Sequence, residues 1–162
     1  MKKTNITISY IEFESEGELS SEDRSLLEHA QKAIDSAYAP YSTYHVGAAV
    51  LLENGEIITG SNQENAAYPS GLCAERVALF YASSQYPDVP VKSIAISARA
   101  REFKINSPVT PCGSCRQVMA ETESRFGNSL RLIMRGGNGN IIIIEGVKNV
   151  LPLMFQANEL KK

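Results

Sequence analysis

The sequence predicts an α/β fold, a three-layer sandwich in which helices cover both faces of a mixed five-stranded sheet. The order of the predicted elements is helix, strand, strand, helix, strand, helix, strand, strand, which is typical of this architecture. The segment Val91–Ala98 is almost wholly apolar, as expected for a strand that is covered on both faces. With 162 residues, of which 43% are hydrophobic, the chain suits one domain with a single core.

The chain begins with an alternating segment, Ile6–Phe13, which is typical of a short strand. Ser21 is predicted to cap the first helix, with Glu22 and Asp23 in the first turn, where the helix dipole favours acidic side chains. Pro40 ends that helix. Its apolar stripe consists of Leu26, Leu27, Ala30, Ala33, Ile34 and Ala37.

Two apolar runs follow, His45–Leu52 and Glu56–Ser61. The turn between them contains Asn54 and Gly55, a pair that favours a β-hairpin. A second helix is predicted from Cys73 to Ser84. These three elements precede the central strand.

The C-terminal half contains a third helix and a final strand pair. Pro111 precedes the helix, which is predicted over Cys112–Ser124. The strands Leu130–Met134 and Ile141–Glu145 flank the turn sequence GGNGN. A short terminal helix is predicted over Leu151–Leu160.

The charge and hydropathy of the chain argue against several classes of protein. The net charge of −2 and the isoelectric point near 5.7 indicate no general attraction to nucleic acid or to an anionic membrane surface. No apolar stretch approaches the roughly 20 residues that span a bilayer, and the N-terminus has no continuous apolar segment of a signal peptide. We therefore expect a cytoplasmic protein with a small-molecule partner.

Three cysteines carry the clearest chemical signal. Cys112 and Cys115 are three residues apart at a predicted helix start, so their thiols can lie on one face and chelate one ion. Cys73, at the start of the preceding helix, would supply a third sulfur. Helix N-termini favour the thiolates that a metal requires. Three protein ligands leave one tetrahedral position open, which is typical of a catalytic zinc.

Glu75 follows Cys73 by two residues, which places a carboxylate near the metal without the spacing of a further ligand. Such a group can transfer protons between zinc-activated water and a substrate. Three thiolates place excess negative charge around the ion, and we expect Arg76 and Gln117 to offset it by donating hydrogen bonds to the sulfurs. The signature of zinc nucleobase deaminases is a zinc ligand, one intervening residue and Glu, followed later in the chain by Pro-Cys-x-x-Cys. This sequence contains the signature in a three-cysteine form.

A redox pair or a closed structural zinc site is the alternative interpretation of Cys112 and Cys115. Either alternative leaves Cys73 and Glu75 unexplained. There is no fourth cysteine, and neither of the two histidines lies near these motifs in the sequence, so a closed four-ligand site is disfavoured.

With these motifs, the sequence resembles the cytidine deaminase family, specifically its short homotetrameric form. The resemblance runs from about residue 26 to the C-terminus and implies the cytidine deaminase fold. Its strongest blocks are APYSTYHVGAAVL, GSNQENAAYPSGLCAERVAL, TPCGSCRQVM and VLPLMF.

The resemblance implies a role for each matching residue. Asn62 and Glu64 match the pair that binds the ribose, especially its 3′-hydroxyl. Tyr44 lies where a Phe usually packs against the pyrimidine, and Phe155 matches an aromatic that covers the base. Tyr68 matches a tyrosine that reaches across subunit contacts.

Two backbone groups complete the implied substrate site. The Ala74 N–H resembles the donor to the 2-oxo group, and the Pro111 carbonyl resembles the acceptor for the 4-amino group or departing ammonia. The resemblance further implies one Zn²⁺ per subunit, a homotetramer with shared active sites and a role in pyrimidine salvage. We expect residues 21–162 to form the catalytic domain, with residues 1–20 as an N-terminal extension of unassigned role.

A few positions depart from the family pattern. Gln63 stands where an aliphatic residue is common, Tyr44 adds a hydroxyl to the aromatic wall, and His45 replaces a frequent proline. None of them belongs to the metal motifs, so these differences bear on substrate fit and leave the reaction chemistry unchanged.

The sequence favours hydrolytic deamination of cytidine and 2′-deoxycytidine. Deamination of a cytosine-containing antibiotic such as blasticidin S is a second possibility, although Asn62 and Glu64 favour an ordinary ribose. Editing of a polynucleotide would require a basic groove that the sequence lacks. A catalytically silent zinc-binding assembly protein is the alternative from another class, and the presence of Glu75 argues against it.

Overall fold

The structure, a computed structural model, describes residues 1–156. Within that range, no helix is both long enough and apolar enough to cross a membrane. The strands and helices, numbered in chain order, are β1 (Ile11–Phe13), α1 (Ser21–Ala33), β2 (Tyr44–Leu52), β3 (Ile57–Ser61), α2 (Ala74–Gln85), β4 (Val91–Ala100), α3 (Gly113–Phe126), β5 (Arg131–Arg135) and β6 (Ile141–Glu145).

The strands form one mixed sheet in the order β1-β6-β5-β4-β2-β3. Strands β4 and β5 are parallel, and the remaining neighbours are antiparallel. Two hydrophobic clusters lie on opposite faces of this sheet, one beneath α1 and the other beneath α2 and α3. The predicted three-layer sandwich is therefore confirmed.

The prediction of five strands is wrong by one, because the sheet has six. The additional strand is β1, which pairs with β6 at the sheet edge in the register Phe13↔Ile141. The Phe13 side chain packs against the cluster beneath α1, and this burial anchors the short strand. Of the predicted strand Ile6–Phe13, only the last three residues pair within the described chain.

Two further boundaries differ from the prediction. Ser20, rather than Ser21, caps α1, and its hydroxyl accepts a hydrogen bond from the Asp23 N–H at 3.1 Å. Residues 151–156 form no helix, and the rest of the predicted helix Leu151–Leu160 lies outside the described residues.

Two glycines allow the helices to approach the sheet closely from opposite sides. A Cβ at Gly47 in β2 would lie 2.1 Å from the Ala30 carbonyl oxygen of α1. A Cβ at Gly60 in β3 would lie 2.5 Å from the Ala78 nitrogen and 2.6 Å from the Ala74 oxygen, both in α2. Each distance is shorter than real Cβ contacts allow, so glycine at Gly60 sets the position of α2 against β3.

Candidate active site

The three cysteines lie at the N-terminal ends of two neighbouring helices. Cys73 is the N-cap of α2, Cys112 is the N-cap of α3, and Cys115 lies in the first turn of α3. The Sγ of Cys112 is 3.8 Å from that of Cys73 and 3.5 Å from that of Cys115, and all three sulfurs lie within 4.8 Å of one another.

The separations between the sulfur atoms match those of ligands that share one zinc ion. Two sulfurs that are each about 2.3 Å from one tetrahedral zinc lie about 3.8 Å apart. The observed Sγ separations of 3.5 and 3.8 Å are close to that value. The three thiols therefore fit one zinc ion as ligands, and they leave a fourth coordination position for a water or substrate.

The surroundings favour negative charge on the sulfur of Cys73, whereas the hydrogen bond to Cys73 and burial raise the pKa of the Cys115 thiol. Hydrogen bonds from the Cys115 thiol and from the Arg76 guanidinium lower the pKa of the Cys73 thiol, against the opposing effect of burial. The Nη2 of Arg76 lies 3.8 Å from the Cys73 Sγ. The Nε of Arg76 is buried and has no hydrogen-bond partner among the described residues. Cys73 is thus prepared to act as a thiolate ligand.

Gln117 does not make the predicted hydrogen bond to a cysteine sulfur, and the prediction is wrong for this residue. The Gln117 Nε2 donates to the backbone carbonyl of Phe155 at 2.8 Å instead of to a sulfur. Gln117 is two residues beyond Cys115, a rotation of about 200° around the helix, so its side chain leaves α3 on the side away from the thiols.

Glu75 lies in the first turn of α2, and its side chain is buried next to the cysteines. Burial raises the pKa of the Glu75 carboxyl, and the negative charge of the Cys73 thiolate raises it further. A carboxyl whose pKa lies closer to neutrality can both accept and return a proton, which is the property that general acid–base catalysis requires.

A cavity of about 470 Å³ opens in front of the thiols and Glu75. This volume lies in the range of small-molecule sites. The predicted site residues that line the cavity are Tyr44, Asn62, Glu64, Tyr68, Cys73, Glu75, Arg76 and Cys112. Ala74, Pro111, Cys115, Gln117 and Phe155 lie outside this lining.

Tyr44 forms part of the cavity wall. Its ring stacks on Phe103 with the centroids 5.9 Å apart and an angle of 8° between the planes. Burial raises the pKa of the Tyr44 hydroxyl, and the charge of Glu75 adds to this effect. The sequence did not single out Phe103, because it lies about sixty residues from Tyr44 and outside every motif.

Asn62 follows β3 and connects that strand to β2. Its Oδ1 accepts from the Val46 N–H at 2.7 Å, and its Nδ2 donates to the Tyr44 carbonyl at 2.9 Å. The segment of residues 62–64 is also held on both sides by backbone hydrogen bonds to Tyr38 and Leu72. These bonds fix the rim of the cavity without any ligand.

Glu64 is bound to the turn that precedes β2. Its carboxylate accepts from the Tyr41 N–H at 2.8 Å, from the Ser42 N–H at 3.3 Å and from the Ser42 hydroxyl. Burial raises the pKa of the carboxyl, but these hydrogen bonds together outweigh it and hold the pKa below its usual value. Asn62 and Glu64 are both partly exposed in the isolated chain. Ser42 was not among the predicted site residues, although it lies inside the APYSTYHVGAAVL block.

The remaining predicted residues lie around this centre. Tyr68 is 77% exposed and meets Tyr41 edge to face, with the ring centroids 6.3 Å apart. Phe155 is 68% exposed. The Pro111 carbonyl accepts from the Arg116 Nε at 2.7 Å, and Ala74 is buried at the start of α2.

Comparison with known proteins agrees with this geometry. A family model described as the cytidine and deoxycytidylate deaminase zinc-binding region matches residues 20–126. The chain belongs to this deaminase family. It is 48% identical over 140 residues to a cytidine deaminase of Halalkalibacterium halodurans, a match that covers 83% of this chain and 95% of that relative.

Solved structures show the same fold for members of the family. The crystal structure of a cytidine deaminase from Burkholderia pseudomallei superposes with a TM-score of 0.72 at 34% identity, over 85% of this chain and 100% of that one. A cytidine deaminase from Mycobacterium tuberculosis superposes with a TM-score of 0.62 at 28% identity, over 82% of this chain and 95% of that one.

Proposed function

We propose that the protein is a zinc-dependent hydrolase that converts cytidine and 2′-deoxycytidine to uridine and 2′-deoxyuridine with release of ammonia. The observation that carries this proposal is the convergence of three thiols from two helix starts beside the buried Glu75, at a cavity of nucleoside-compatible size. The relatives named above are cytidine deaminases, which supports the same substrate class for this chain.

Cys73, Cys112 and Cys115 would hold one Zn²⁺ per subunit. When bound, zinc in such a site supplies Lewis acidity, which makes water a stronger acid and a nucleophile near neutral pH. The Arg76 guanidinium offsets the thiolate charge through its contact with Cys73.

Glu75 would move the protons of the reaction. It takes one proton from the attacking water and delivers it to N3 of the pyrimidine as the oxygen bonds to C4. It then passes the second proton to the 4-amino group, and the C4–N bond breaks to release ammonia. The 4-oxo product keeps the proton on N3, so the atoms of cytidine and water balance those of uridine and ammonia.

The base would lie between the Tyr44 ring and the aromatic side chain of Phe155 from a neighbouring subunit, because Phe155 of the same chain lies outside the cavity lining. The Ala74 N–H lies at a helix start, where it has no intrahelical acceptor, and would donate to the 2-oxo group. The Pro111 carbonyl accepts one hydrogen bond from Arg116 and keeps a second lone pair for the 4-amino group.

The sugar would lie at the rim, where Asn62 and Glu64 receive the ribose hydroxyls. The Glu64 carboxylate is already oriented by Ser42 and by two backbone N–H groups, so it needs no rearrangement to accept a further hydrogen bond. Such prior orientation lowers the entropic cost of binding.

The proposed assembly is a homotetramer in which neighbouring subunits share active sites. The proposed role of the protein is pyrimidine salvage in the cytoplasm. Tyr68 and Phe155 support this assembly, because both are large aromatic residues that are more than half exposed in the isolated chain. Tyr68 lines the cavity, so a neighbouring subunit that covered it would also close the site. Residues 21–162 are the proposed catalytic domain.

The experiment is a steady-state assay on cytidine and deoxycytidine, with ammonia release and zinc stoichiometry measured on the same sample. Glu75→Gln preserves the shape of the side chain and should retain zinc while kcat falls by about 10²–10⁴-fold, because proton transfer is lost. Absence of turnover by the unaltered chain at one zinc per subunit would refute the proposal. Faster turnover of blasticidin S than of cytidine would replace the nucleoside with the antibiotic as substrate.

A further inference from the structure

The N-terminal segment of the chain has no role in the site described above. We name residues 1–10 the N-terminal arm. The arm precedes β1, is exposed throughout, and lies outside the family match, which begins at residue 20. Ile6, Ile8 and Tyr10 alternate along it and are 57%, 48% and 53% exposed. Residues spaced by two share one face of an extended strand, so the arm presents an apolar stripe without a partner in the described chain.

The arm continues from an open sheet edge. Strand β1 pairs with β6 on one side only and is the last strand in the sheet order, so no strand of the described residues pairs with its outer edge. The outward-facing N–H and C=O groups of an edge strand are free to pair with another extended segment. An apolar stripe and an open edge in one continuous segment together favour pairing with a further strand.

We propose that the N-terminal arm pairs antiparallel with the same arm of a second copy of this chain, about a two-fold axis at Ile8. In this register Ile8 lies opposite Ile8 of the second copy, and Ile6 lies opposite Tyr10. Lys2 lies opposite Glu14, which adds an ion pair at each end of the ladder. Every apolar residue of the stripe therefore meets an apolar residue, and the terminal charges are complementary.

Neighbouring registers match less well. An axis at Thr7 places Tyr10 opposite Thr4, and an axis at Ser9 places Ile6 opposite Glu12. A shift of pairing by a single residue moves the stripe against the polar face of the second arm. The pairing of Lys2 with Glu14, which directly follows β1, and of each apolar residue of the stripe with another is the reason that the occupant is a second copy of this chain.

The pairing is compatible with the folded domains. Residues 11–13 would lie between β6 and residues 3–5 of the second copy, so one sheet would extend across both molecules. The centres of the two β1 strands would be about eight residues apart along the ribbon, which is about 27 Å. Because β6 lies on the side of β1 away from the second arm, the two domains lie on opposite sides of the ribbon.

Cysteine cross-linking tests the register in the full-length, zinc-loaded chain. Ile8→Cys should form a disulfide-linked dimer in a glutathione redox buffer, because a residue on the axis faces its own copy within the Cα range of a disulfide. Ile6→Cys alone and Tyr10→Cys alone should remain monomeric on a non-reducing gel, since each meets its own copy about 13 Å away. Co-expression of these two variants should restore the cross-link.

The unaltered chain is the control for the native cysteines. Failure of Ile8→Cys to cross-link, or equal cross-linking of all three single variants, would overturn the register. Cross-linking to another protein in place of a second copy would also overturn the proposal.

A charge exchange gives an independent measurement. Lys2→Glu should raise the dissociation constant of the arm-dependent assembly by about threefold to tenfold at low salt, and the double variant Lys2→Glu with Glu14→Lys should restore it. Deletion of residues 1–10 should abolish that assembly and leave kcat/KM for cytidine unchanged. An unchanged number of subunits per assembly after the deletion would refute the arm contact. The deaminase assay tests the proposed function separately.

Discussion

The close contact between β3 and α2 leads to a sharp prediction for Gly60→Ala. The added Cβ would lie 2.5 Å from the Ala78 nitrogen, against 3.4 Å for ordinary van der Waals contact, so α2 would move outward by about 0.9 Å. The obstructing atoms are backbone, which cannot rotate away as a side chain can. We expect a loss of about 3 kcal/mol in the free energy of unfolding and a Tm lower by about 6–12 °C.

The same shift should disturb the proposed zinc site. Helix α2 carries Cys73 and Glu75, whereas Cys112 and Cys115 lie on α3. Zinc–sulfur bonds tolerate deviations of about 0.2 Å, so a movement of α2 relative to α3 should weaken zinc binding by tenfold or more. A displacement of about 1 Å in catalytic groups can also lower kcat/KM by about 100-fold.

Two matched variants separate these effects. Gly47→Ala creates a contact of 2.1 Å with the Ala30 oxygen on the opposite face, so it should lower Tm without a comparable effect on zinc affinity. Gly113→Ala places a Cβ in open space at the start of α3 and should change neither property. Zinc titration and cytidine turnover are measured well below every Tm. Unchanged zinc affinity and kcat/KM in a destabilised Gly60→Ala would refute the reasoning.

Three further predictions concern charged groups. Burial raises the pKa of Asp23, but hydrogen bonds from Arg131 and Ser20 outweigh it and lower the pKa below its usual value. Asp23→Asn should therefore cost about 2 kcal/mol at pH 7. In urea titrations this difference should narrow as pH falls below about 4 and the native carboxyl protonates, and a difference that is constant down to pH 2 would contradict the ion pair. Arg76→Gln should raise the pKa of the Cys73 thiol and move the onset of zinc binding and activity to higher pH. Arg76→Lys should restore the onset in part. An unchanged pH profile at full zinc content would exclude a role of Arg76 in stabilising the thiolate. Glu64→Gln should lower kcat/KM for cytidine by about 10- to 100-fold and reduce the preference over 2′,3′-dideoxycytidine, whereas an equal loss on both substrates would show that Glu64 does not bind the sugar hydroxyl.

The helices and strands of the central domain could be predicted because their signals are local. Alternation, apolar runs and an Asn-Gly turn depend on neighbours in the sequence, so the five central strands were located closely. The sixth strand, β1, was missed in the sheet count, because its pairing with β6 joins residues about 130 positions apart. The pairing with β6 and the packing of Phe13 beneath α1 distinguish that strand from an exposed alternating segment.

The residues of the candidate site also fall into those that local sequence patterns indicate and those that only distant contacts bring in. The spacing of Cys112 and Cys115, and of Cys73 and Glu75, lies within single turns of helix, so sequence alone indicated their chemistry. The orientation of Gln117 toward Phe155 depends on where the chain returns after β6, which no local pattern contains.

The fold class, the proposed zinc ligands and the proposed acid–base residue Glu75 could be read from the amino-acid sequence, because each depends on residues within a few positions of one another. The groups that surround these residues depend on the folded chain. Folding brought the starts of α2 and α3 together so that three thiols lie within 4.8 Å. It also placed Ser42 against Glu64 and Phe103 against Tyr44. Those contacts join segments that are distant along the chain, and only the burial of the two hydrophobic clusters on either face of the sheet makes them neighbours.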